Sequence, residues 1–116
     1  MARFLATIFA LLPFAAVAET NLVMFERVGC QYCAQWNEEV GPEYAQTDEG
    51  RSAPLVRLDV NADLPADMRL TSRPVYTPTF VLVKDGQEVG RIEGYPGEDF
   101  FWPMLGQLLS QTKDSG

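Results

Sequence analysis

The chain contains two cysteines, and they stand together in Cys30-Gln31-Tyr32-Cys33. On a helix this spacing brings the thiols about one turn apart, close enough to form a small disulfide. If the helix begins at Cys30, the upstream sulfur lies exposed at its N-terminus. There the helix dipole and the unpaired N–H groups favour the thiolate, which is the form that attacks disulfides. Cys30 is then the nucleophile and Cys33 the resolving thiol. A structural staple is the competing use of the pair, but so short a loop removes little chain entropy, which favours the redox role. Metal binding is the other. The chain has no histidine, so a closed four-ligand zinc site cannot be built within one chain, whereas two-coordinate Cu(I) on soft thiolates stays open as a carrier or redox-sensing role.

The elements that would hold this pair can be read on either side of it. Thr20–Glu26 is short, apolar and bounded by Arg27-Val28-Gly29, as expected of a buried strand. From Cys33 the apolar positions run through Trp36, Val40 and Tyr44, spacings of three and four that place Cys33 on the inward stripe of a helix. Trp36 and Tyr44 read as core. Gly41-Pro42 should end or kink that helix, and Thr47 to Pro54 reads as loop. Leu55 to Val60 alternates as a second strand with Val56, Leu58 and Val60 on one face, and Arg57 and Asp59 read as a solvated edge pair. Asn61 to Leu70 is polar, with Pro65 early, and suggests a short helix.

Thr79 to Val83 reads as a third strand, and Lys84-Asp85-Gly86 as the turn of a hairpin. In the returning strand, Gln87 to Glu93, Val89 and Ile92 share a face only if a bulge intervenes, expected at Gly90. After Gly94-Tyr95-Pro96-Gly97, the acidic Glu98-Asp99 opens a last helix with Phe100, Phe101, Met104, Leu105, Leu108 and Leu109 as its apolar stripe. Pro103 should displace the start of that helix, and the polar tail from Gln111 should fray. This order implies an α/β fold, a central mixed sheet of about four strands with helices on both faces.

The first residues belong to another category. Arg3 precedes a small and apolar run from Phe4 to Val17, ending in Ala16-Val17-Ala18 before Glu19. Charged start, apolar middle and A-x-A end describe a cleaved signal peptide, residues 1–18. The run is shorter than the roughly 20 residues that span a bilayer, and Pro13 interrupts it. The remainder, 19–116, suits a single domain. Acidic residues number 16 against 9 basic ones, of which Arg3 lies in the leader. That balance repels phosphate backbones and anionic lipid and argues against nucleic acid as a partner. An export signal and a close cysteine pair point to an oxidising compartment, the periplasm, where the pair stays reduced only if a partner supplies electrons.

Cys30-x-x-Cys33 at a strand-to-helix junction and Tyr76-Thr77-Pro78-Thr79-Phe80 opening the penultimate strand resemble the thioredoxin superfamily from Asn21 to about Leu109. More narrowly, V-G-C-Q-Y-C, T-P-T-F and E-G-Y-P-G-E-D-F-F-W resemble the small periplasmic thioredoxins of bacterial sulfur-oxidation systems. The resemblance implies the thioredoxin fold, a cis Pro78 whose loop faces the dithiol, and Thr77 against the redox sulfur. It also implies Gly94 beside the substrate groove, with Tyr95 as a further lining residue. The implied activity is reduction of one partner protein's disulfide, that of the sulfur carrier protein, by a monomer with no cofactor and with electrons from a membrane thiol transporter. A general disulfide oxidase or isomerase is the alternative within the same chemistry.

Departures from the family pattern mark the site. Gly29 replaces the family's tryptophan and Gln31-Tyr32 its Gly-Pro; Tyr32 resembles the glutaredoxin motif and Thr77 that of periplasmic isomerases. The family's buried carboxylate, six residues before the first cysteine, falls on Met24. Base assistance to Cys33 must then come from water or a neighbour such as Glu26.

Overall fold

The computed structural model describes residues 19–114; the expected signal peptide, 1–18, lies outside them. Four strands, β1 (Thr20–Glu26), β2 (Leu55–Asp59), β3 (Thr79–Lys84) and β4 (Gln87–Glu93), form one sheet in the order β2-β1-β3-β4. β1 pairs parallel with β2 and antiparallel with β3, which pairs antiparallel with β4. The parallel pair needs a crossover, supplied by α1 (Gln31–Glu39), α2 (Gly41–Tyr44) and α3 (Asp48–Ser52); α4 (Glu98–Asp114) closes the chain. Both central strands are buried on both faces, Leu22 to Phe25 and Thr79 to Val83, which is why they read as continuous apolar runs.

One face of the sheet carries the larger core. Leu22, Met24, Phe80, Leu82 and Ile92 meet Trp36, Val40 and Tyr44 of α1 and α2, and Phe101 and Leu105 of α4. Trp36 sits at its centre, its ring 5.2 Å from Phe80 and 5.9 Å from Phe101. On the other face Val23, Phe25, Val81 and Val83 pack with Val60, Leu58, Leu64, Met68 and Leu70. The helix expected over Asn61–Leu70 does not form. That segment is irregular, because its apolar residues are spent as separate plugs on the sheet and its backbone is tied to β4 rather than to itself. Arg69 N donates to the Gly86 carbonyl at 2.6 Å, and Glu88 N to the Arg69 carbonyl at 2.9 Å.

Other local differences have equally local causes. Gly41-Pro42 ends α1 as expected, and Pro42 then opens α2, since an early helical position needs no N–H from it. Between Thr47 and Pro54, where a loop is expected, α3 forms. The Thr47 side chain caps it by accepting the Gly50 N–H at 3.0 Å, and Asp48 and Glu49 occupy its first turn, both favourable at a helix start. Gly50 is required there, because a Cβ would lie 1.7 Å from the Tyr44 carbonyl oxygen.

The hairpin turns on Asp85 (φ 53) and Gly86 (φ 83), the paired positive φ values of a tight hairpin turn. The bulge falls one residue before the expected Gly90: pairing steps from Leu82↔Gly90 to Val83↔Glu88 and leaves Val89 unmatched. Val89 thereby joins Ile92 on the larger core. Pro103 does not displace α4, whose first turn is set by Phe100 and Phe101 N–H groups on the Gly97 carbonyl. Of the expected stripe, Phe101 and Leu105 are buried, but Phe100 and Met104 are exposed, being a helical step away from the row that faces the sheet. Among the described residues no helix is long and apolar enough to cross a membrane.

Candidate active site at the end of the central strand

β1 delivers the chain to the site. After Glu26 the backbone turns through Gly29, whose φ of 82 is open to glycine, and Cys30 becomes the N-cap of α1. Its sulfur accepts the Cys33 N–H at 3.1 Å, and its carbonyl accepts that of Ala34 at 3.1 Å. The sulfur of Cys30 thus occupies the place of a capping oxygen, at the positive end of the helix. Cys30 and Cys33 are joined as a disulfide with Cα atoms 5.2 Å apart. Their environments differ: Cys33 is 3% exposed and belongs to the larger core, while Cys30 is only partly buried. Gln31 and Tyr32, between them, are exposed.

The loop before β3 arrives at the same end of the sheet, because Thr79 pairs with Phe25, near the end of β1. The Thr77–Pro78 peptide is cis. Pro78 is buried and Thr77 partly so, and the Thr79 hydroxyl donates to the Tyr76 carbonyl at 2.6 Å. Gly94 (φ 81) donates its N–H to the Pro78 carbonyl at 2.7 Å, so the glycine after β4 and the proline before β3 hold each other. Tyr95 is placed differently from a groove-lining residue. It is 8% exposed, its ring lies 6.2 Å from Phe101, and its hydroxyl donates to Glu39 at 3.4 Å. Burial, and then the Glu39 carboxylate, push that hydroxyl up to about 12.

The loops at this end of the sheet expose large apolar side chains, Val28 (98%), Val75 (76%) and Tyr76 (67%), besides Tyr32, among polar ones such as Arg27, Gln31 and Arg73. Exposed residues in the 27–29 and 72–77 loops follow no periodicity, so the sequence gives no sign of which of them are exposed.

The place of Arg57 was also missed. Arg57 does not pair with Asp59, whose carboxylate instead accepts the Asn61 N–H at 2.8 Å. Parallel register sets Arg57 opposite Met24, and Glu26 lies two residues along β1 on the same face. Arg57 Nη1 donates to Glu26 Oε2 at 3.0 Å and lies 3.6 Å from Met24 Sδ; Nη2 donates to Asn37 Oδ1 at 2.9 Å. The guanidinium carbon sits 5.7 Å from the Trp36 ring centroid, within cation–π range. Glu26 and Asn37 in turn line an open crevice together with Cys30, Gln31 and Cys33. The signal available in sequence was one of parity: two oppositely charged residues on the same face of adjacent strands, two positions apart in register.

No group of three or more metal-ligating side chains occurs among the described residues. The site is therefore a disulfide with one cysteine partly exposed at a helix start and one inside, a cis-proline loop at the same end of the sheet, and an ion pair whose Glu26 lines the adjoining crevice.

The sequence model of the thioredoxin-like domain family matches residues 14–109. The chain belongs to the thioredoxin-like family. Among solved structures it is similar to the periplasmic thioredoxin SoxS from Paracoccus pantotrophus, crystallised in its reduced form. That likeness has 53% identity and a TM-score of 0.80, over 81% of this chain and 99% of that one. Fasciola hepatica thioredoxin is similar at 22% identity and a TM-score of 0.55, over 77% and 80% of the two chains, a likeness of fold. A search of curated proteins gave no match. The thioredoxin fold expected from the sequence is thus the observed one, with the irregular 60–78 connection standing on one face where a helix was expected.

Proposed function

We propose that this thioredoxin-like protein is a periplasmic thiol-disulfide oxidoreductase that reduces the disulfide of a specific partner protein. The observation that carries the reading is the inequality of the two sulfurs: Cys30 at the helix N-cap accepting an N–H, and Cys33 buried behind it. In the reduced protein the Cys30 thiolate attacks a sulfur of the partner disulfide. A Cys30–partner S–S bond forms and the second partner sulfur leaves as a thiolate. Cys33 then loses its proton and attacks Cys30, the mixed disulfide breaks, and the partner departs with both electrons while the Cys30–Cys33 disulfide closes. The proton leaves by the crevice, where Glu26, held by Arg57, or a water beside it receives it.

The cis loop at Thr77 and Pro78, pinned to Gly94, supplies the edge against which the partner's chain lies, with Tyr32, Val75 and Tyr76 around it; Tyr95 acts beneath that edge as support. By resemblance the partner is a sulfur carrier protein with a reactive cysteine, and a membrane thiol transporter returns the electrons. Residues 1–18 serve as the export signal. The likeness to a periplasmic thioredoxin supports the compartment.

The test is trapping with Cys33→Ser together with the reduction potential of the pair. A potential well below the glutathione range and one dominant mixed-disulfide partner are expected. A strongly oxidising potential with many partners would make the protein an oxidase, and tight Cu(I) binding without turnover would make it a carrier. Cys30→Ser should abolish exchange; full activity in that variant would overturn the nucleophile assignment.

A further inference from the structure

We propose that the Asp85 carboxylate is the seat of the α-ammonium group that forms when the chain is cut between Ala18 and Glu19. This rests on the reading of residues 1–18 as a cleaved leader and is independent of the redox chemistry. Glu19 is gripped at both ends of its backbone by one residue. Its nitrogen donates to Asp85 Oδ1 at 3.0 Å, and its carbonyl accepts the Asp85 N–H at 2.8 Å. Before the cut that nitrogen is a peptide N–H with a partial charge. After it, the same atom is an ammonium with a full one and further protons to donate, and the bond becomes a charge-assisted one.

The surroundings suit a cation. Glu19, Asp67 and Asp85 line one open groove with Asn21, Met68 and Gly86, and no lysine or arginine lines it. The nearest basic residue in sequence, Lys84 of β3, donates its ammonium to the Thr112 carbonyl at 2.9 Å. Arg69, from the connection, meets this corner through its backbone, donating its N–H to the Gly86 carbonyl. The seat is also fixed in place: Asp85 and Gly86 form the hairpin turn, and Gly86 approaches Asp67 so closely that a Cβ would lie 2.3 Å from its carbonyl oxygen. Cleavage thus adds a positive charge to a groove lined by acidic residues from the N-terminus, the connection and the hairpin. It fastens the residue just before β1, the strand that leads to Cys30. A chain beginning at Thr20 lacks the Glu19 nitrogen and carbonyl that Asp85 holds, and one beginning earlier carries its ammonium at least a residue, about 3.3 Å, further out.

The experiment uses the exported protein, with its first residue identified by terminal sequencing. The α-amine is titrated by reductive methylation with 13C-formaldehyde and NMR of the product, in the parent and in Asp85→Asn. Asparagine tolerates the positive φ of this turn position, so the hairpin is kept. The parent amine should titrate above the ordinary α-amino range of about 7.7–8.0, and Asp85→Asn should return it there. An elevation of one unit makes the amine about tenfold less reactive at neutral pH. Because the folded-state value is raised, the associated stability is present at neutral pH and fades as pH rises through that value. If the chain starts at Glu19 and both proteins titrate alike, the seat does not exist. If it starts elsewhere, the processing reading falls and takes this proposal with it.

Discussion

Cys33 is enclosed, and an enclosed thiol can resolve a mixed disulfide only if its proton has somewhere to go. Met24 cannot take it, and the crevice beside Cys33 offers Glu26 in its place, fixed by Arg57, which is itself fixed by Asn37 and the Trp36 face. The cysteine pair was fully legible in the sequence, because two thiols at helical spacing allow few chemistries. The Glu26–Arg57 pair was not, because its partners are 31 residues apart and meet only through strand register. Glu26→Gln should slow release of the partner from a preformed Cys30 mixed disulfide by about 10–100-fold, at or below the lower end of general-base assistance because water can substitute. Alkylation of Cys30 by iodoacetamide should be unchanged, and Arg57→Lys should slow release less than Arg57→Gln. Equal single-turnover release rates in Glu26→Gln and the parent would remove Glu26 from the mechanism.

The element that positions the cis-proline loop is the least regular one. The connection from Val60 to Pro78 holds to the sheet through the plugs Leu64, Met68 and Leu70, the Arg69 bridge to Gln87, and Arg73, which donates to the Val60 and Ala62 carbonyls. A further tie runs through the Glu88–Arg91 pair on β4, 6% and 14% exposed. Glu88 also accepts the Thr71 N–H at 3.0 Å, and Arg91 donates to the Ser72 carbonyl at 2.6 Å. Strands and terminal helix were legible from periodicity. This connection was not, since its order comes from side chains on β4, and a polar run with spaced apolar residues reads the same way as a helix. α3 was hidden by composition, although Thr47, Asp48 and Glu49 spell its cap. The Arg91 hydrogen bonds hold the Glu88 carboxyl below the usual carboxylate range, and the Thr71 N–H adds to them. The stability it confers is therefore complete above the unfolded value of about 4.3 and is lost as pH falls through the lower folded value. Glu88→Gln should cost about 2–4 kcal/mol at neutral pH, near the loss on breaking a buried pair, and should differ less from the parent below that value. Denaturant melts of both proteins at neutral and acid pH check this, as does faster hydrogen exchange at Thr71.

At the scale of the molecule, two cores on opposite faces of one sheet are joined by central strands that belong to both, and the disulfide sits at the end of that sheet. The aromatic group Trp36, Tyr44, Phe80, Phe101 and Trp102 binds α1, α2, α4 and the sheet without the S–S bond. The proposed redox use requires this placement, because a bond that opened in every cycle could not also carry the fold. The closed loop has a sequence separation of 3, so it restrains the unfolded chain by less than the about 3 kcal/mol expected for a loop of 15 residues. Opening it should therefore lower stability by only about 1–2 kcal/mol, and Tm by about 5–15 °C for a domain of this size. Thermal melts of the oxidised protein, the reduced protein and the Cys30→Ser/Cys33→Ser double variant should each give one cooperative transition, with the last two close together. Loss of cooperative unfolding on reduction would show the pair to be a staple, and the exchange chemistry built on it would have no folded protein to run on.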